Sequence, residues 1–75
     1  MFEMNAEMVE MIKKMYPVGS RVMCDRMEDP WSPIKPGAKG TVSFIDDIGT
    51  VHVKWDDGRG LGLVYREDRF HSVKD

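Results

Sequence analysis

Residues 36–55, PGAKGTVSFIDDIGTVHVKW, carry the pattern of a β-hairpin. On each side of the central link, DDIG, apolar residues alternate with polar ones, as they do in a half-buried strand. Asp46 and Asp47 can close a turn through their side chains, and Gly49 can adopt a positive φ at little cost. We therefore expect two antiparallel strands joined by a tight turn. Their inward faces carry Val42, Phe44, Val51, Val53 and Trp55.

The N-terminal segment has a different period. Apolar residues recur at helical spacing, which predicts an amphipathic helix over residues 6–16, with Asn5 as its N-cap. Pro17 and Gly19 then end the helix. The apolar stripe consists of Met4, Met8, Met11, Ile12 and Met15. It either packs onto one end of the β-structure or offers a deformable surface to a partner or to a second copy in a homo-oligomer.

Three more apolar runs, at residues 21–27, 61–65 and 70–73, have the length and alternation of short strands. Glycine-rich and proline-rich turns separate them, including the strong turn signal Asp56-Asp57-Gly58. One helix followed by five short strands predicts a single domain over residues 1–75. Its expected fold is mainly β: a small five-stranded antiparallel SH3-like barrel over residues 21–73, with one N-terminal helix.

The loop between the first two strands contains Trp31 among three prolines, Pro30, Pro33 and Pro36. Prolines fix φ and remove backbone donors, so this loop should be stiff and should run over the surface. Trp31 has two interpretations. It is either an exposed anchor for a ligand or a lid folded over an open end of the barrel, and buried tryptophan is the commoner case.

Composition narrows the classes of function. The 75-residue chain has a formal net charge of −2, which is too mild to indicate a strongly basic or strongly acidic partner. Cys24 is the single cysteine, so no internal disulfide can form. No apolar run approaches the length of a membrane span, and no basic region followed by an apolar one opens the chain. We expect a cytoplasmic protein that does not enter membranes.

The sequence lacks the motifs that are typical of metal sites and of catalytic nucleophiles. His52 and His71 stand apart and no cysteine pair exists, so we expect no metal site. No serine lies in the motif of an activated nucleophile, and no glycine-rich phosphate loop precedes a helix. The aspartate pairs at 46–47 and 56–57 are typical of turns. We therefore expect a protein that is not an enzyme, with no catalytic residues and no cofactor.

Three segments, YPVGSRV (16–22), MEDPWSPIKPGAKGTV (27–42) and IDDIGTVHVKWDDGRGLGLV (45–64), resemble a family of short proteins of unknown function. Members of that family occur in Gram-positive bacteria and in their phages and conjugative elements. The resemblance implies an SH3-like barrel and a setting among mobile elements. Genes in such settings often encode transfer, regulatory or anti-defence factors, so it implies an accessory role but no specific activity.

Two kinds of binding remain, and we rank protein interaction first because acidic residues crowd the loops that would meet phosphates. The expected protein-binding residues are Trp31, Asp29, Tyr65, Asp46 and Asp47, with the aromatic rings as anchors and the carboxylates selecting a basic partner. The alternative is an SH3-like nucleic-acid-binding module. Its binding residues are Lys39, Lys54, Arg59, Arg66 and Arg69.

Overall fold

The computed structural model describes residues 4–29, 31 and 33–74, and this part of the chain forms one helix followed by five strands. The helix α1 spans Ala6–Met15, and the strands span Arg21–Arg26 (β1), Lys39–Ile45 (β2), Thr50–Trp55 (β3), Gly60–Val64 (β4) and Arg69–Val73 (β5). Pro30 and Ser32 lie outside the described residues. The prediction that Pro30 stiffens its loop therefore falls outside them as well.

All five strands form one antiparallel sheet in the order β4-β3-β2-β1-β5. The predicted mainly β, five-stranded antiparallel fold with one N-terminal helix is confirmed, and the strand order is consistent with an SH3-like sheet. In the described part of the chain no ladder joins β4 to β5; the turn between them has an isolated bridge from Tyr65 to Asp68. The barrel is therefore open, with β4 and β5 as its two edges.

Helix α1 begins at the predicted cap. The Asn5 side chain accepts a hydrogen bond from the backbone N–H of Met8 at 2.9 Å, which satisfies one of the unpaired donors of the first turn. The helix ends at Met15, one residue earlier than predicted, and Tyr16 is its C-cap. Val9 and Ile12 are buried, whereas Met11 is largely exposed. The apolar stripe thus packs onto the sheet along one side only.

The hairpin of β2 and β3 is confirmed, but the predicted inward position of Phe44 is wrong. Val42 pairs with Val53 and Phe44 pairs with His52, so β2 carries one extra residue at this point, a β-bulge. Beyond a bulge, side chains change faces. Phe44 is 51% exposed, and its ring stacks on the His52 ring with centroids 4.2 Å apart. Ile45 takes its place beside the core.

The turn between β2 and β3 has the predicted chemistry. One carboxylate oxygen of Asp46, Oδ1, accepts hydrogen bonds from the N–H groups of Ile48 at 3.1 Å and Thr50 at 2.9 Å. Gly49 has a φ of +82°, a conformation that side chains resist. Aspartate and glycine therefore fix the register of the hairpin locally, as the sequence indicates.

The core lies between the sheet and the helix. Trp55 is 2% exposed, and its indole N–H donates to the Leu61 carbonyl at 2.9 Å, so the one polar atom of this ring is satisfied. Tyr16 and Phe70 meet with ring centroids 4.9 Å apart. The other buried members of this core cluster are Ile12, Val22, Cys24, Ile34, Val42, Val51, Val53 and Leu63.

Candidate functional site

A groove separates β4 from the segment that follows β1, and we call it the acidic groove. It encloses about 270 Å³. Its floor and walls mix apolar side chains with carboxylates, which suits a ligand that is both apolar and basic. The lining residues are Met27, Glu28, Asp29, Leu61, Gly62, Val64, Glu67 and Asp68.

Asp68 holds one end of the acidic groove together. One of its carboxylate oxygens accepts from the backbone N–H of Glu28 at 2.8 Å, and the other accepts from the N–H of Val64, also at 2.8 Å. The carboxylate therefore ties the end of β4 to the segment that follows β1. Hydrogen bonds to a charged acceptor are among the stronger ones in proteins, so this bridge fixes the distance between the two walls.

Trp31 stands outside the lining of the groove, on the loop that forms one wall. Its side chain is 91% exposed, so the lid interpretation is wrong and the exposed-anchor interpretation agrees with the structure. The carboxylate of Asp29 accepts from the backbone N–H of Trp31 at 2.8 Å, which anchors the backbone at the base of this side chain. Further along the loop, the Arg59 guanidinium approaches the Pro33 carbonyl at 3.5 Å.

The other predicted protein-binding residues lie elsewhere. Tyr65 is half-buried and lines a neighbouring cavity of about 370 Å³ between the β2–β3 turn and the end of β4. Asp46 and Asp47 lie in that turn and line neither space; Asp46 is engaged by the turn itself, and Asp47 is exposed. The structure therefore brings Trp31 and Asp29 together at the acidic groove but separates them from the aspartate turn.

The predicted basic residues are divided between the two ends of β4. Lys54 lies opposite Gly60 at the start of that strand, next to Arg59, and the Lys39 carbonyl accepts from Asp56 N–H nearby at 2.9 Å. Arg66 and Arg69 follow the other end of β4. Together with Tyr65 they line a cleft of about 510 Å³, which also contains two carboxylates, those of Asp25 and Asp68.

Two carboxylates outside the groove have altered titration. His52 lies 2.9 Å from Asp46, and this hydrogen bond is the main reason why the pKa of Asp46 is lowered. The Arg21 guanidinium donates hydrogen bonds to both carboxylate oxygens of Asp56, at 2.8 and 2.6 Å. These bonds are the main reason why the pKa of Asp56 is lowered. Both shifts have their main cause in a side-chain hydrogen bond at the surface, and both groups are explained by the contacts that they make within the fold.

The Cys24 side chain is fully buried. Burial is the main cause that raises the pKa of its thiol, away from the reactive thiolate form. Across residues 4–29, 31 and 33–74, no three side chains of His, Cys, Asp or Glu gather in a way that could hold a metal ion. Over the same residues, no helix has the length and apolar character needed to cross a membrane.

Comparison with known protein families matches residues 5–73 to the family described as Domain of unknown function (DUF4314). The chain belongs to this family. The match begins at the N-cap of α1 and ends with β5, so the DUF4314 domain includes the helix as well as the sheet. No curated protein and no solved structure matches the chain.

Sequence reasoning missed several residues of the acidic groove in this DUF4314 domain. Glu28 and Glu67 were part of no predicted site, and Asp68 joins Glu28 across 40 residues of sequence. A contact of that span leaves no local pattern. Gly62 in β4 was a local signal of close packing, but a Cβ there would meet the Thr50 side chain of β3 at 2.7 Å and so does not mark the groove.

Proposed function

We propose that this protein is a non-catalytic protein-interaction module, in which Trp31 and the acidic groove bind a basic segment of a partner protein. The observation that carries the proposal is the position of Trp31: a tryptophan side chain 91% exposed, beside a groove lined by carboxylates. Exposed tryptophan is uncommon, and tryptophan is enriched among residues that dominate binding energy at protein interfaces.

The anchoring of Trp31 supports recognition. The hydrogen bond between its backbone N–H and Asp29, and the stiffness of a loop that contains Pro33 and Pro36, restrict the loop before any ligand arrives. A side chain on a restricted loop loses less conformational entropy on binding than one on a flexible loop. Trp31 can therefore contribute most of its apolar surface to a partner.

The charge of the groove favours a basic ligand. Glu28, Asp29 and Glu67 line it, and no lysine or arginine belongs to its described lining. The ion pair between Glu28 and Arg26, at 3.1 Å, leaves both side chains more than half exposed, and such pairs contribute little energy. A lysine or arginine of a partner can exchange with it at small cost, and the like charges of an acidic ligand would be repelled.

The proposed setting follows the family resemblance. We propose that the module works in the cytoplasm of Gram-positive bacteria as an accessory, regulatory or anti-defence factor of a phage or conjugative element. A small stable binding domain suits that role, because it can act by occupying a surface of another protein without any chemistry of its own.

One observation favours a second candidate, a nucleic-acid-binding module. Arg66, Arg69 and Tyr65 line the same cleft, where the guanidinium groups would meet phosphates and the ring would stack on a base. The carboxylates of Asp25 and Asp68 in that cleft oppose a polyanion, and the other predicted basic residues lie at the far end of β4. Protein interaction therefore ranks first.

Selection from a displayed library of random twelve-residue peptides tests the proposed function. We expect the immobilised protein to enrich peptides rich in lysine and arginine. Trp31→Ala should bind the selected peptides about 30-fold more weakly, as loss of an aromatic hot spot of about 2 kcal/mol implies, because the exposed ring contributes to binding and not to folding. Calorimetric titration measures the affinities.

The matched control is Ile48→Ala, which removes another strongly exposed apolar side chain, away from the acidic groove. It should leave the affinity within about twofold, since truncation of a residue outside an interface has little effect on binding. Selected peptides that bind Trp31→Ala as tightly as the parent would count against the proposal. Binding to single-stranded DNA or RNA with a steep salt dependence would favour the second candidate.

A further inference from the structure

The backbone of β4 carries hydrogen-bonding groups that the sheet does not use. In an antiparallel ladder, alternate residues direct their N–H and C=O groups to one neighbour, and the residues between them direct theirs to the other side. Trp55 N–H donates to the Arg59 carbonyl at 2.8 Å, whereas Val64 N–H points away from β3 and donates to Asp68. Gly60 and Gly62 have the same parity as Val64, so their N–H and C=O groups point outward.

Across the residues that the structure describes, these outward groups are unpaired over the first three residues of the strand. The Val64 carbonyl is already occupied, because it accepts from the N–H groups of Glu67 at 3.0 Å and Asp68 at 2.9 Å. No residue of the described part of the chain pairs with the outward N–H and C=O groups of Gly60 and Gly62. Gly60 is exposed and Gly62 is half-buried beside the acidic groove.

The sequence of β4, GLGLV, lacks three of the features that protect an edge strand. It carries no charge, no proline and no bulge against β3. An unprotected edge is a template for pairing with another backbone.

We propose that a basic segment of a partner protein binds in extended form along β4, as a sixth strand of the sheet. The inference rests on the proposed function and names the way in which the partner is held. The backbone groups of Gly60 and Gly62 supply hydrogen bonds, and Glu28, Asp29 and Glu67 select lysine or arginine side chains on the added strand. A second copy of this chain is disfavoured there, because its own carboxylates would face those of the first.

A defined probe tests this proposal: the synthetic peptide acetyl-Lys-Val-Lys-Val-Lys-Val-Lys-amide, titrated into the ¹⁵N-labelled protein. We expect chemical-shift changes at Gly60, Gly62 and residues 27–29, together with slower amide exchange of both glycines. An added strand pairs through one of its two edges. Two further probes carry methyl groups on their backbone nitrogens, one on the valines and the other on the internal lysines. The version whose methyl groups face β4 should bind about tenfold more weakly, while the other version keeps its affinity.

Two variants of the protein provide an independent readout. Gly60→Pro removes an outward N–H that the fold does not use, at the first residue of an edge strand, where proline is tolerated. It should weaken the probe about fivefold, the effect of one hydrogen bond. Gly60→Ala keeps the N–H, and its added methyl group meets open space, so it should weaken the probe less than Gly60→Pro does.

The outcomes separate the inference from the proposed function. Probe binding with both methylated versions equal, and with both glycine amides still exchanging freely, overturns strand addition while leaving the groove as a peptide site. If a glutamate version of the probe binds equally well, or if the lysine probe does not bind at millimolar concentration, the inference of a basic extended ligand is overturned. The display selection with Trp31→Ala tests the proposed function separately. Dimerisation of the parent that Gly60→Pro abolishes would assign the edge to a second copy and overturn the proposal.

Discussion

Strands β4 and β5 are the two edges of one sheet, yet their side chains differ. β5 carries Arg69 and His71, and its pairing with β1 is interrupted by a bulge beside Arg26. His71 lies 2.7 Å from Asp25, so the edge also has a polar cross-strand contact. Charges and bulges are the means by which edge strands avoid pairing with other chains. β4 has neither.

The difference teaches that a small sheet can protect one edge and leave the other available. Both edges face the same solvent and have the same length, five residues. An unprotected edge exposes a protein to aggregation, so its retention next to a lined groove favours a binding role for β4 over β5. Three experiments test how firmly each edge is supported.

The largest effect is expected at β3, which carries β4. Val53 is 2% exposed, and Val53→Asp would bury an unpaired charge. A domain of this size has roughly 3–5 kcal/mol of stability, so we expect this variant to be unfolded at room temperature, with no edge left to compare. Phe44→Asp, on the exposed side of the bulge, should keep the fold. Circular dichroism during heating distinguishes them, and two folded variants would contradict the assigned faces.

A smaller effect is expected when each edge loses its polar contact. Asp68→Ala removes two hydrogen bonds that hold the end of β4 and should lower the free energy of unfolding by about 2 kcal/mol. His71→Ala removes an exposed pair on β5 and should cost at most about 1 kcal/mol. Urea unfolding measures both. If His71→Ala were the more destabilising variant, the support assigned to β4 would be wrong.

The smallest effect concerns acid. Folding lowers the pKa of Asp46, chiefly through its hydrogen bond to His52, which lies opposite Gly62 of β4. Such a carboxylate stabilises the fold above its ordinary pKa, and this contribution is lost as the pH falls through the lower folded-state pKa. Asp46→Asn should therefore make stability less steeply dependent on pH below about pH 4, the ordinary range of an aspartate.

Asp47→Asn is the matched control for the acid experiment. Asp47 is the exposed neighbour of Asp46 in the same turn, and its replacement removes one carboxylate from the turn while keeping the hydrogen bond between Asp46 and His52. Melting temperatures recorded between pH 7 and pH 2 compare the two variants. A parent and an Asp46→Asn variant with parallel curves would show that the ionisation of Asp46 does not affect folding.

Features that depend on neighbours in sequence could be predicted. The Asn5 cap, the positive φ of Gly49 and the alternation of Val51 and Val53 each follow from local chemistry, and the structure has all of them. The family resemblance added the correct kind of fold. Local rules succeed here because caps, turns and strand alternation are decided within a few residues.

Features that depend on residues distant in sequence could not be predicted. The bulge that turns Phe44 outward is a property of how β2 pairs with β3, and sequence alternation alone places this ring in the core. The acidic groove depends on Asp68 reaching Glu28, and the exposure of Trp31 depends on the path of its loop. None of these contacts has a periodic signal, so the candidate site was predicted only in part.

The two tryptophans lie in opposite environments, and this makes the protein its own optical reporter. Trp31 is 91% exposed and Trp55 is 2% exposed. Indole emission shifts to shorter wavelength in apolar surroundings, and iodide ions quench only the rings that they can reach. In the folded protein, iodide will therefore quench the fluorescence of Trp31 but not that of Trp55. A ligand on the loop will shield the first ring, and unfolding will expose the second, so one fluorescence titration reads both events without a label.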